Sequence, residues 1–306
     1  MNYIQTLRTA KDVVTPGMSA CQGCGAELIL RRVLQLAGQN TIVCVPPGCL
    51  GGSGVVGWDY QTGMEIPVHI PLLTNTASYL SGVSRMYQRK GRGDVNIVCV
   101  AGDGATADGG FQSLSGAAER NEKILYICYD NEGYMNTGFQ RSSTTTLGSH
   151  TSTTPLGSVI SGKEQQQKYL PLIMSMHNLS YCATASPSHM ADMVAKIEKG
   201  LAWSKEGFAY IHMFSPCPTG WLYDIDQGIQ IARKAVQSNF FPLWEMENRK
   251  YRMTYDNKKP ISIADFVKDI GKFRDLSEQD LAAIQSMVDD RYEKLKKLSS
   301  EADCNE

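Results

Sequence analysis

Short apolar runs recur along the first two thirds of the chain, at residues 41–45, 95–101, 124–129, 181–185 and 208–213. They are apolar on both faces, which is typical of parallel strands covered by helices on both sides. Segments with helical spacing of apolar residues accompany them, at about 26–37, 111–120, 190–203 and 227–237. This alternation predicts an α/β fold with a doubly wound, mostly parallel sheet flanked by helices.

One long segment follows neither pattern. Residues 131–162 are rich in Ser, Thr, Gly and Asn and have no apolar period. A loop of this length inside a compact domain is usually functional or disordered. Because it follows the predicted strand 124–129, it should lie at the carboxyl edge of the sheet, where such sheets bind ligands. We therefore predict an active-site loop.

The pattern changes near the end of the chain. The charged run 245–250 and the polar residues after it predict a tail that leaves the core. The chain is thereby divided into an α/β domain of residues 1–238 and a C-terminal extension of residues 239–306. Within the extension, Ser-x-x-Asp at 277–280 has the spacing of a capping box and predicts a helix to about residue 298.

Composition and charge exclude several classes of protein. The 306 residues are 42% hydrophobic and 20% charged, as in ordinary globular domains, and the net charge of −1 provides no electrostatic footprint for nucleic acid or an anionic membrane. No apolar run reaches the ~18 residues of a membrane span. The first fifteen residues lack the apolar core of a signal peptide. We expect a cytoplasmic protein.

Nine cysteines in a chain without an export signal suggest metal or redox chemistry rather than disulfides. Cys21 and Cys24 form a C-x-x-C pair before a predicted helix, Cys49 follows Pro-Pro-Gly, and Cys217 stands between two prolines. Four cysteines in such loops suit an iron–sulfur cluster, because its ligands converge from different directions and nearby N–H groups can bond its sulfides.

Spacing alone leaves other interpretations open. A lone C-x-x-C also occurs in redox dithiols and as half of a zinc site, although the second C-x-x-C of a zinc ribbon, about 15–20 residues on, is missing here. The remaining cysteines are of two kinds. Cys44, Cys99, Cys128 and Cys182 lie in predicted strands and should act as small buried hydrophobes, whereas Cys304 lies in the polar tail.

A Gly-Asp-Gly sequence at 102–104 directly follows one predicted strand, and Asp130-Asn131 ends the next. Adjacent parallel strands would bring Asp103 and Asn131 to the same edge of the sheet. Glycines there let the backbone approach a diphosphate, and Mg²⁺ prefers oxygen ligands shared between protein and phosphates. Asp103, the side-chain oxygen of Asn131 and a carbonyl near Gly133 are the predicted protein ligands. The alternative is a pair of ordinary β-turns.

Together these segments resemble the β subunits of 2-oxoacid:ferredoxin oxidoreductases. The resemblance rests on residues 102–108, 114–121 and 126–143, and on the cysteine segments 20–25 (ACQGCG) and 216–221 (PCPTGW). It covers nearly the whole chain. The pyruvate-type branch is most similar, and the oxalate oxidoreductase β chain is a close neighbour.

The resemblance implies the thiamine-diphosphate-binding (PP-type) variant of the α/β fold, with a C-terminal helical tail. It assigns a 4Fe–4S cluster to Cys21, Cys24, Cys49 and Cys217, and Mg²⁺ to the side chains of Asp103 and Asn131 and the Gly133 carbonyl. Asn136 and Arg141 are the implied catalytic residues. The implied cofactor contacts are Gly102, Asp103, Gly104, Ala105, Asn131, Gly133, Tyr134, Met135, Thr137, Cys24, Gly25 and Gly48.

The implied reaction is oxidative decarboxylation of a small, pyruvate-like 2-oxoacid, with electrons passing through the cluster to ferredoxin. A partner subunit with a pyrimidine-binding domain should supply the activating glutamate, for which Glu27 and Glu132 are poorer candidates. A ferredoxin-like subunit should carry further clusters. The rival functions are a non-redox thiamine-dependent decarboxylase and a cluster-binding electron-transfer protein.

Substrate choice is the least determined feature of the sequence. Arg141 and the hydroxyls of Ser142, Ser143 and Thr144 are candidates for contacting the substrate carboxylate, since arginine binds carboxylates in a bidentate manner. A loop-stabilising role for Arg141 is the alternative. Pyruvate-type chains usually have Thr-Pro after the Arg-Ser pair, whereas this chain has three threonines at 144–146. That departure keeps oxalate open as the substrate, without coenzyme A.

Overall fold

Eight strands form one sheet in the order β2-β1-β3-β4-β6-β5-β7-β8. The structure, a computed structural model, describes residues 3–54, 63–155, 157 and 162–303. The strands are β1 (Thr41–Cys44), β2 (Val68–His69), β3 (Asn96–Gly102), β4 (Ile124–Asp130), β5 (Tyr181–Ala185), β6 (Phe208–Phe214), β7 (Trp244–Glu247) and β8 (Lys250–Met253).

Strands β1 to β6 run parallel, and β7 and β8 are added antiparallel at one end of the sheet. From β1 the chain continues outward to β2, whereas from β3 it continues in the other direction to β4. The switch point therefore lies between β1 and β3, and ligands of such sheets bind in the crevice outside this point. Cys49 follows β1 and Asp103 follows β3, so both lie at this crevice.

Helices cover both faces of the sheet, which confirms the predicted doubly wound architecture. Helices α2 and α6 pack on one face, and α3, α4 and α5 pack on the other. The helices are α1 (Tyr3–Thr9), α2 (Gly25–Ala37), α3 (Thr76–Arg89), α4 (Phe111–Glu119), α5 (Leu170–Ser175), α6 (Met190–Trp203), α7 (Pro218–Trp221), α8 (Gly228–Gln237), α9 (Ile263–Val267) and α10 (Glu278–Asp303).

The cysteines of the strands behave as small hydrophobes. Cys44, Cys99, Cys128 and Cys182 are completely buried and belong to the same apolar layer, beneath α3, α4 and α5. Their burial raises the pKa of each thiol, which keeps these side chains neutral. Cys304, assigned to the polar tail, lies outside the described residues.

The expectation that the chain leaves the core after residue 238 is wrong. Strands β7 and β8 both lie beyond that boundary. Because β7 pairs with β5 and β8 pairs with β7, both belong to the same sheet as the rest of the chain. The charged run conceals an alternating pattern. Trp244 and Met246 point into the core, whereas Glu245 forms an ion pair with Lys199 on the opposite face.

The C-terminal helix begins where the capping-box pattern predicts. The N–H of Asp280 donates to Oγ of Ser277 at 3.1 Å, and the N–H of Ser277 donates to the Asp280 carboxylate at 2.9 Å. This helix, α10, continues to Asp303 and buries Ile284 and Val288 against α9, while Leu295 joins the layer beneath β8. In the part of the chain that the structure describes, no helix combines the length and apolar character needed to cross a membrane.

Glu245 makes the hairpin sensitive to acid. Burial alone would raise the pKa of its carboxyl, but hydrogen bonds from Arg252, Lys199 and Tyr181 hold that pKa at about 2. Because an unfolded glutamate has a pKa of about 4.3, this carboxylate stabilises the fold above that pH, and the stabilisation is lost as the pH falls through about 2.

We therefore expect Glu245→Gln to lose about 3 kcal/mol of unfolding free energy at pH 7 and to show a flatter dependence on pH between 5 and 2. Urea unfolding followed by tryptophan fluorescence measures this difference. Glu65→Gln, which removes an exposed ion pair to Lys11, is the matched control. An equal acid sensitivity of the wild-type and Glu245→Gln proteins would contradict the prediction.

Candidate active site

The structure brings Asp103 and Asn131 together at the carboxyl edge of the sheet, as the sequence predicts. Strands β3 and β4 are adjacent and parallel, with Gly102 opposite Tyr129. Asp103 follows the first strand and Asn131 follows the second, and the N–H of Asn131 donates to Oδ1 of Asp103 at 3.4 Å. Both side chains are buried.

Three oxygen atoms converge at this position. The side-chain oxygen of Asn131 lies 2.9 Å from the carbonyl oxygen of Gly133 and 2.9 Å from Oδ1 of Asp103. Without a cation the reversed amide, with its nitrogen donating to both oxygens, satisfies this arrangement better. Ligands of octahedral Mg²⁺ lie 2.0–2.1 Å from the ion, so neighbouring ligands are about 2.9 Å apart. The two distances from the Asn131 oxygen thus match the spacing of neighbouring ligands at a magnesium site.

The other oxygen of Asp103 is held by the long loop. Oγ of Ser142 donates to Oδ2 of Asp103 at 2.5 Å, and Oγ1 of Thr144 lies 3.0 Å from the same oxygen. Oγ of Ser143 donates to Asp108. Each of these hydroxyls thus faces a carboxylate of the chain itself, and their contact with a substrate stays a prediction. Ser142 and Thr144 orient Asp103 so that Oδ1 faces Asn131.

Asp130, which precedes Asn131, carries a second buried carboxylate. Its Oδ2 accepts a hydrogen bond from Nε2 of His212 at 2.8 Å, and Nδ1 of that ring lies 2.7 Å from the hydroxyl of Tyr210. Burial acts to raise the pKa of Asp130, but His212 outweighs it and holds the pKa below its usual value. Burial and the charge of Asp130 raise the pKa of Asp103 well above its usual range. A divalent cation would favour the charged form of Asp103.

Glu132 is a third buried carboxylate in the same turn. It adopts a left-handed backbone conformation (φ +62°), which is uncommon for a residue other than glycine. Its carboxylate accepts hydrogen bonds from the N–H and hydroxyl of Thr146 at 3.0 and 2.7 Å, and from Nζ of Lys272 at 2.7 Å. These contacts hold the turn that presents the Gly133 carbonyl beside Asn131.

A small cavity of about 140 Å³ is lined by Asn131 and Gly133, which supply two of the three oxygens, whereas Asp103 is not among its lining residues. Gly104 lies at its wall, where an added Cβ would be 2.5 Å from the ring of Tyr134, so only glycine permits this close approach. Most of the predicted cofactor contacts meet here. The wall includes Gly48, Gly102, Gly104, Ala105, Asn131, Gly133, Tyr134, Met135, Asn136 and Thr137.

A larger cavity of about 490 Å³ is lined by all four loop cysteines. Gly25, Asn131, Met135 and Asn136 also line it, and the last three of these border the small cavity as well. Cys49 likewise borders both cavities. The two predicted sites therefore adjoin, and a group held by the cysteines would lie beside one held at the three oxygens.

Two helix ends and a tight turn position the cysteines at this cavity. Cys24 stands at the N-terminus of α2, and Cys217 caps α7, with the N–H of Gly220 donating to its Sγ at 3.4 Å. In the C-x-x-C turn Gly23 has φ +74°, and an added Cβ would lie 2.4 Å from the carbonyl oxygen of Ile225. Glycine is therefore required for the turn to close against its neighbour.

The surroundings of the cysteines disfavour the negatively charged thiolate form, which a positively charged group would stabilise. Burial, together with the negative charges of Cys217, Cys24 and Cys21, raises the pKa of Cys49 to about 12. Burial also raises the pKa of Cys217, whereas the charge of Lys272 lowers it. Thiolates are the ligands of iron, so a metal cluster must displace these protons on binding.

The arrangement differs from a site for a single ion. Within residues 3–54, 63–155, 157 and 162–303, no three Cys, His, Asp or Glu side chains lie close enough together to hold one metal ion. A structural zinc would need four ligands at about 2.0–2.3 Å from one centre. The four cysteines line one cavity of about 490 Å³, which has room for a group larger than one ion.

One residue of the predicted set, Arg141, has another position. Arg141 is not among the residues that line either cavity, and its N–H donates to Oγ1 of Thr153 at 3.0 Å within the loop. His150 lines the cysteine cavity, and its Nδ1 lies 3.7 Å from the carboxylate of Asp275. Burial lowers the pKa of His150 and so favours its neutral form.

Three residues of the site were not predicted from the sequence, namely Lys272, Trp221 and His212. Lys272 and His212 pair with the buried acids, while the indole N–H of Trp221 donates to the carbonyl of Asn131 at 2.8 Å. Of the three, only Trp221 lay in a segment that the sequence assigned to a binding site. His212 is one residue of an otherwise apolar strand, and Lys272 lies in the extension expected to leave the core.

Comparison with known proteins agrees with this geometry. The family "Thiamine pyrophosphate enzyme, C-terminal TPP binding domain" matches residues 71–213, which include Asp103, Asn131 and Gly133. The four loop cysteines lie outside the matched range. The family match therefore supports a binding site for thiamine diphosphate in this chain. It contains no information about the cluster.

Three relatives are similar over nearly the whole chain. The β subunit of the NADH-dependent phenylglyoxylate dehydrogenase of Aromatoleum evansii is 45% identical and is matched over 95% of this chain and 66% of its own length. Pyruvate synthase subunit PorB of Methanothermobacter marburgensis is 42% identical, over 94% of this chain and 98% of its own. Ketoisovalerate oxidoreductase subunit VorB of Pyrococcus horikoshii is 41% identical, over 92% of each.

A solved structure shares the fold. The 2-oxoglutarate:ferredoxin oxidoreductase of Magnetococcus marinus superposes with a TM-score of 0.57 at 18% identity, over 94% of this chain and 91% of that chain. This likeness confirms the architecture of the sheet and its flanking helices.

Thr144 generates a prediction for the metal site, because its hydroxyl lies 3.0 Å from Asp103 and 2.8 Å from Asp130. Thr144→Val keeps the shape of the side chain and removes both contacts. Hydrogen bonds to charged groups contribute about 1.5–3 kcal/mol, so the Mg²⁺ concentration for half-maximal thiamine diphosphate binding should rise about tenfold or more. This concentration is measured by titrating the complex with Mg²⁺ and following the amount of thiamine diphosphate bound. Thr153→Val, in the exposed part of the same loop, is the control, and an unchanged half-point for Thr144→Val would contradict the prediction.

Proposed function

The chain belongs to the family of thiamine-diphosphate-dependent 2-oxoacid:ferredoxin oxidoreductase β subunits, and we propose that it forms the thiamine- and cluster-binding half of such an active site. The complex oxidatively decarboxylates a small 2-oxoacid of the pyruvate type. Electrons leave through a 4Fe–4S cluster held by Cys21, Cys24, Cys49 and Cys217 and pass to ferredoxin.

The observation that carries this proposal is the shared wall of the two cavities. Cys49, Asn131, Met135 and Asn136 border both the cysteine cavity and the cavity at the three oxygens. An electron released at one site would therefore have a short path to the other. A non-redox decarboxylase has no need for four cysteines beside its cofactor, and a simple electron carrier has no need for the oxygen site.

Each group of residues has a defined task in the proposed reaction. Thiamine diphosphate, when bound, supplies the electron sink for decarboxylation. Oδ1 of Asp103, the Asn131 side chain and the Gly133 carbonyl hold Mg²⁺, which fixes the diphosphate. Gly102 and Gly104 allow the diphosphate to approach the backbone. Asn136 orients the reacting carbonyl from the shared wall of the cavities.

The activating glutamate is proposed to come from a partner subunit. Glu132 is occupied by its ion pair with Lys272 at 2.7 Å, and Glu27 pairs with Arg31 at 3.2 Å on the surface of α2. Either carboxylate would have to leave its partner to contact an aminopyrimidine ring. A second, ferredoxin-like subunit is proposed to carry electrons beyond the cluster.

The names of the relatives state three different substrates, which are pyruvate, ketoisovalerate and phenylglyoxylate. Phenylglyoxylate is a second candidate, because the subunit named for it is 45% identical to this chain. The threonines at 144–146 do not argue for oxalate. Thr144 contacts Asp103 and Asp130, and Thr146 contacts Glu132. These threonines therefore support residues 130–133, here called the metal turn.

The substrate is tested with the intact complex under anaerobic conditions, by following reduction of ferredoxin or of NAD⁺. Pyruvate, 2-oxoisovalerate, phenylglyoxylate and oxalate are compared, each with and without coenzyme A. We expect pyruvate to be turned over only with coenzyme A. Preference for phenylglyoxylate would replace pyruvate by the second candidate, and turnover of oxalate alone without coenzyme A would overturn the 2-oxoacid assignment.

The cluster assignment predicts that the Cys217→Ala complex loses the iron of this one cluster and its share of the broad absorption near ~400 nm, and no longer reduces ferredoxin. The clusters of the ferredoxin-like subunit should remain. Thiamine diphosphate should remain bound, because the oxygen site lies in the neighbouring cavity. Iron analysis, absorption and bound thiamine are measured on the same sample.

Cys182→Ala is the matched control for this variant, since Cys182 is a buried cysteine of β5 in the apolar layer. It should keep its iron and its absorption. Full iron content in Cys217→Ala would show that another residue provides the fourth ligand, and a wild-type complex without iron would support the non-redox decarboxylase.

A further inference from the structure

Lys272 is a completely buried lysine at the wall of the cysteine cavity. It lies in the 3₁₀ turn Gly271–Phe273 of the C-terminal extension, far along the chain from the four cysteines. Lysine is almost never fully buried unless its charge is paired. A cation at this position therefore needs an explanation beyond packing.

The contacts of Lys272 connect the two sites. Nζ donates to the carboxylate of Glu132 at 2.7 Å and lies 3.5 Å from the centre of the Trp221 ring. Glu132 belongs to the metal turn, and Trp221 ends the short helix that Cys217 caps. The indole N–H of Trp221 in turn donates to the carbonyl of Asn131 at 2.8 Å.

The two charges of the pair face different cavities. Lys272 borders the cavity lined by the cysteines, whereas Glu132 borders a separate small cavity with Asp130 and Thr144. Lys272 and Cys217 line the same cavity, and water does not screen a buried charge effectively.

We propose that Lys272 is a positioning residue that raises the reduction potential of the cluster. This inference rests on the proposed function, since it requires a cluster at the four cysteines. Reduction adds one electron and one negative charge to the cluster, and a fixed cation at the cavity wall stabilises that added charge. Cluster potentials depend on such local charge and on solvent exposure. The ion pair with Glu132 and the Trp221 ring hold the ammonium group in place.

The experiment compares the wild-type complex with Lys272→Met, which has a similar shape and no charge. The cluster is titrated with reductant at controlled potential, and its reduced fraction is followed by EPR. For Lys272→Met, the ratio of reduced to oxidised cluster at a given potential should fall about tenfold, which equals a shift of about 59 mV to more negative potential for a one-electron couple. Lys272→Arg, which retains the charge, should stay within about threefold of the wild type.

Removing only one member of a buried ion pair is strongly destabilising, so Lys272→Met also leaves Glu132 unpaired. The double variant Lys272→Met/Glu132→Gln removes both charges and should show a shift in the same direction. Lys268→Met is the control, because Lys268 is an exposed lysine of the same extension. It should leave the potential unchanged.

Three outcomes would overturn the proposal or its basis. A charge-free variant that keeps the cluster at the wild-type potential would show that Lys272 only supports the fold. Loss of the cluster from both charge-free variants, with retention in Lys272→Arg, would show that the charge holds the cluster instead of setting its potential. Absence of iron from the wild-type complex would instead refute the proposed function.

Discussion

Buried negative charge at one edge of the sheet is the constraint on which the site depends. Asp103 follows β3, Asp130 and Glu132 lie at the end of the adjacent β4, and each of the three is less than a tenth exposed. Burying carboxylates is costly unless each has a charged or hydrogen-bonding partner. His212 and Lys272 pair with two of the three, and the loop hydroxyls hold one oxygen of Asp103. The remaining oxygen lies 2.9 Å from the side-chain amide of Asn131, which either donates an N–H to it or shares a cation with it.

This constraint explains why two distant parts of the chain fold onto the turn. The threonines at 144–146 come from the long loop, and Lys272 comes from the C-terminal extension. Both segments supply the hydrogen bonds and the positive charge that the turn lacks. A second consequence is that the extension contributes to the wall of the cysteine cavity. The extension is thus part of the active site as well as of the sheet.

The prediction of the fold succeeded where local pattern and long-range packing agree. Strands β3, β4 and β6 are apolar on both faces because helices cover both faces. Their burial can therefore be predicted directly from the sequence. Prediction failed for β7, where Trp244 and Met246 alternate with Glu245 and Glu247. The acidic side chains make that strand resemble a solvated tail. Only the facing Lys199 shows that one side of the strand is an ion-paired surface.

The sequence by itself determined the class of fold, the four loop cysteines, and the pairing of Asp103 with Asn131, because each depends on residues next to strand ends whose positions follow from the chain. Only the tertiary structure decided the roles of Thr144, His212 and Lys272. Their partners lie between 14 and 140 residues away along the chain. A polar side chain has no fixed role until folding selects its partner, and here the burial of three carboxylates made that selection.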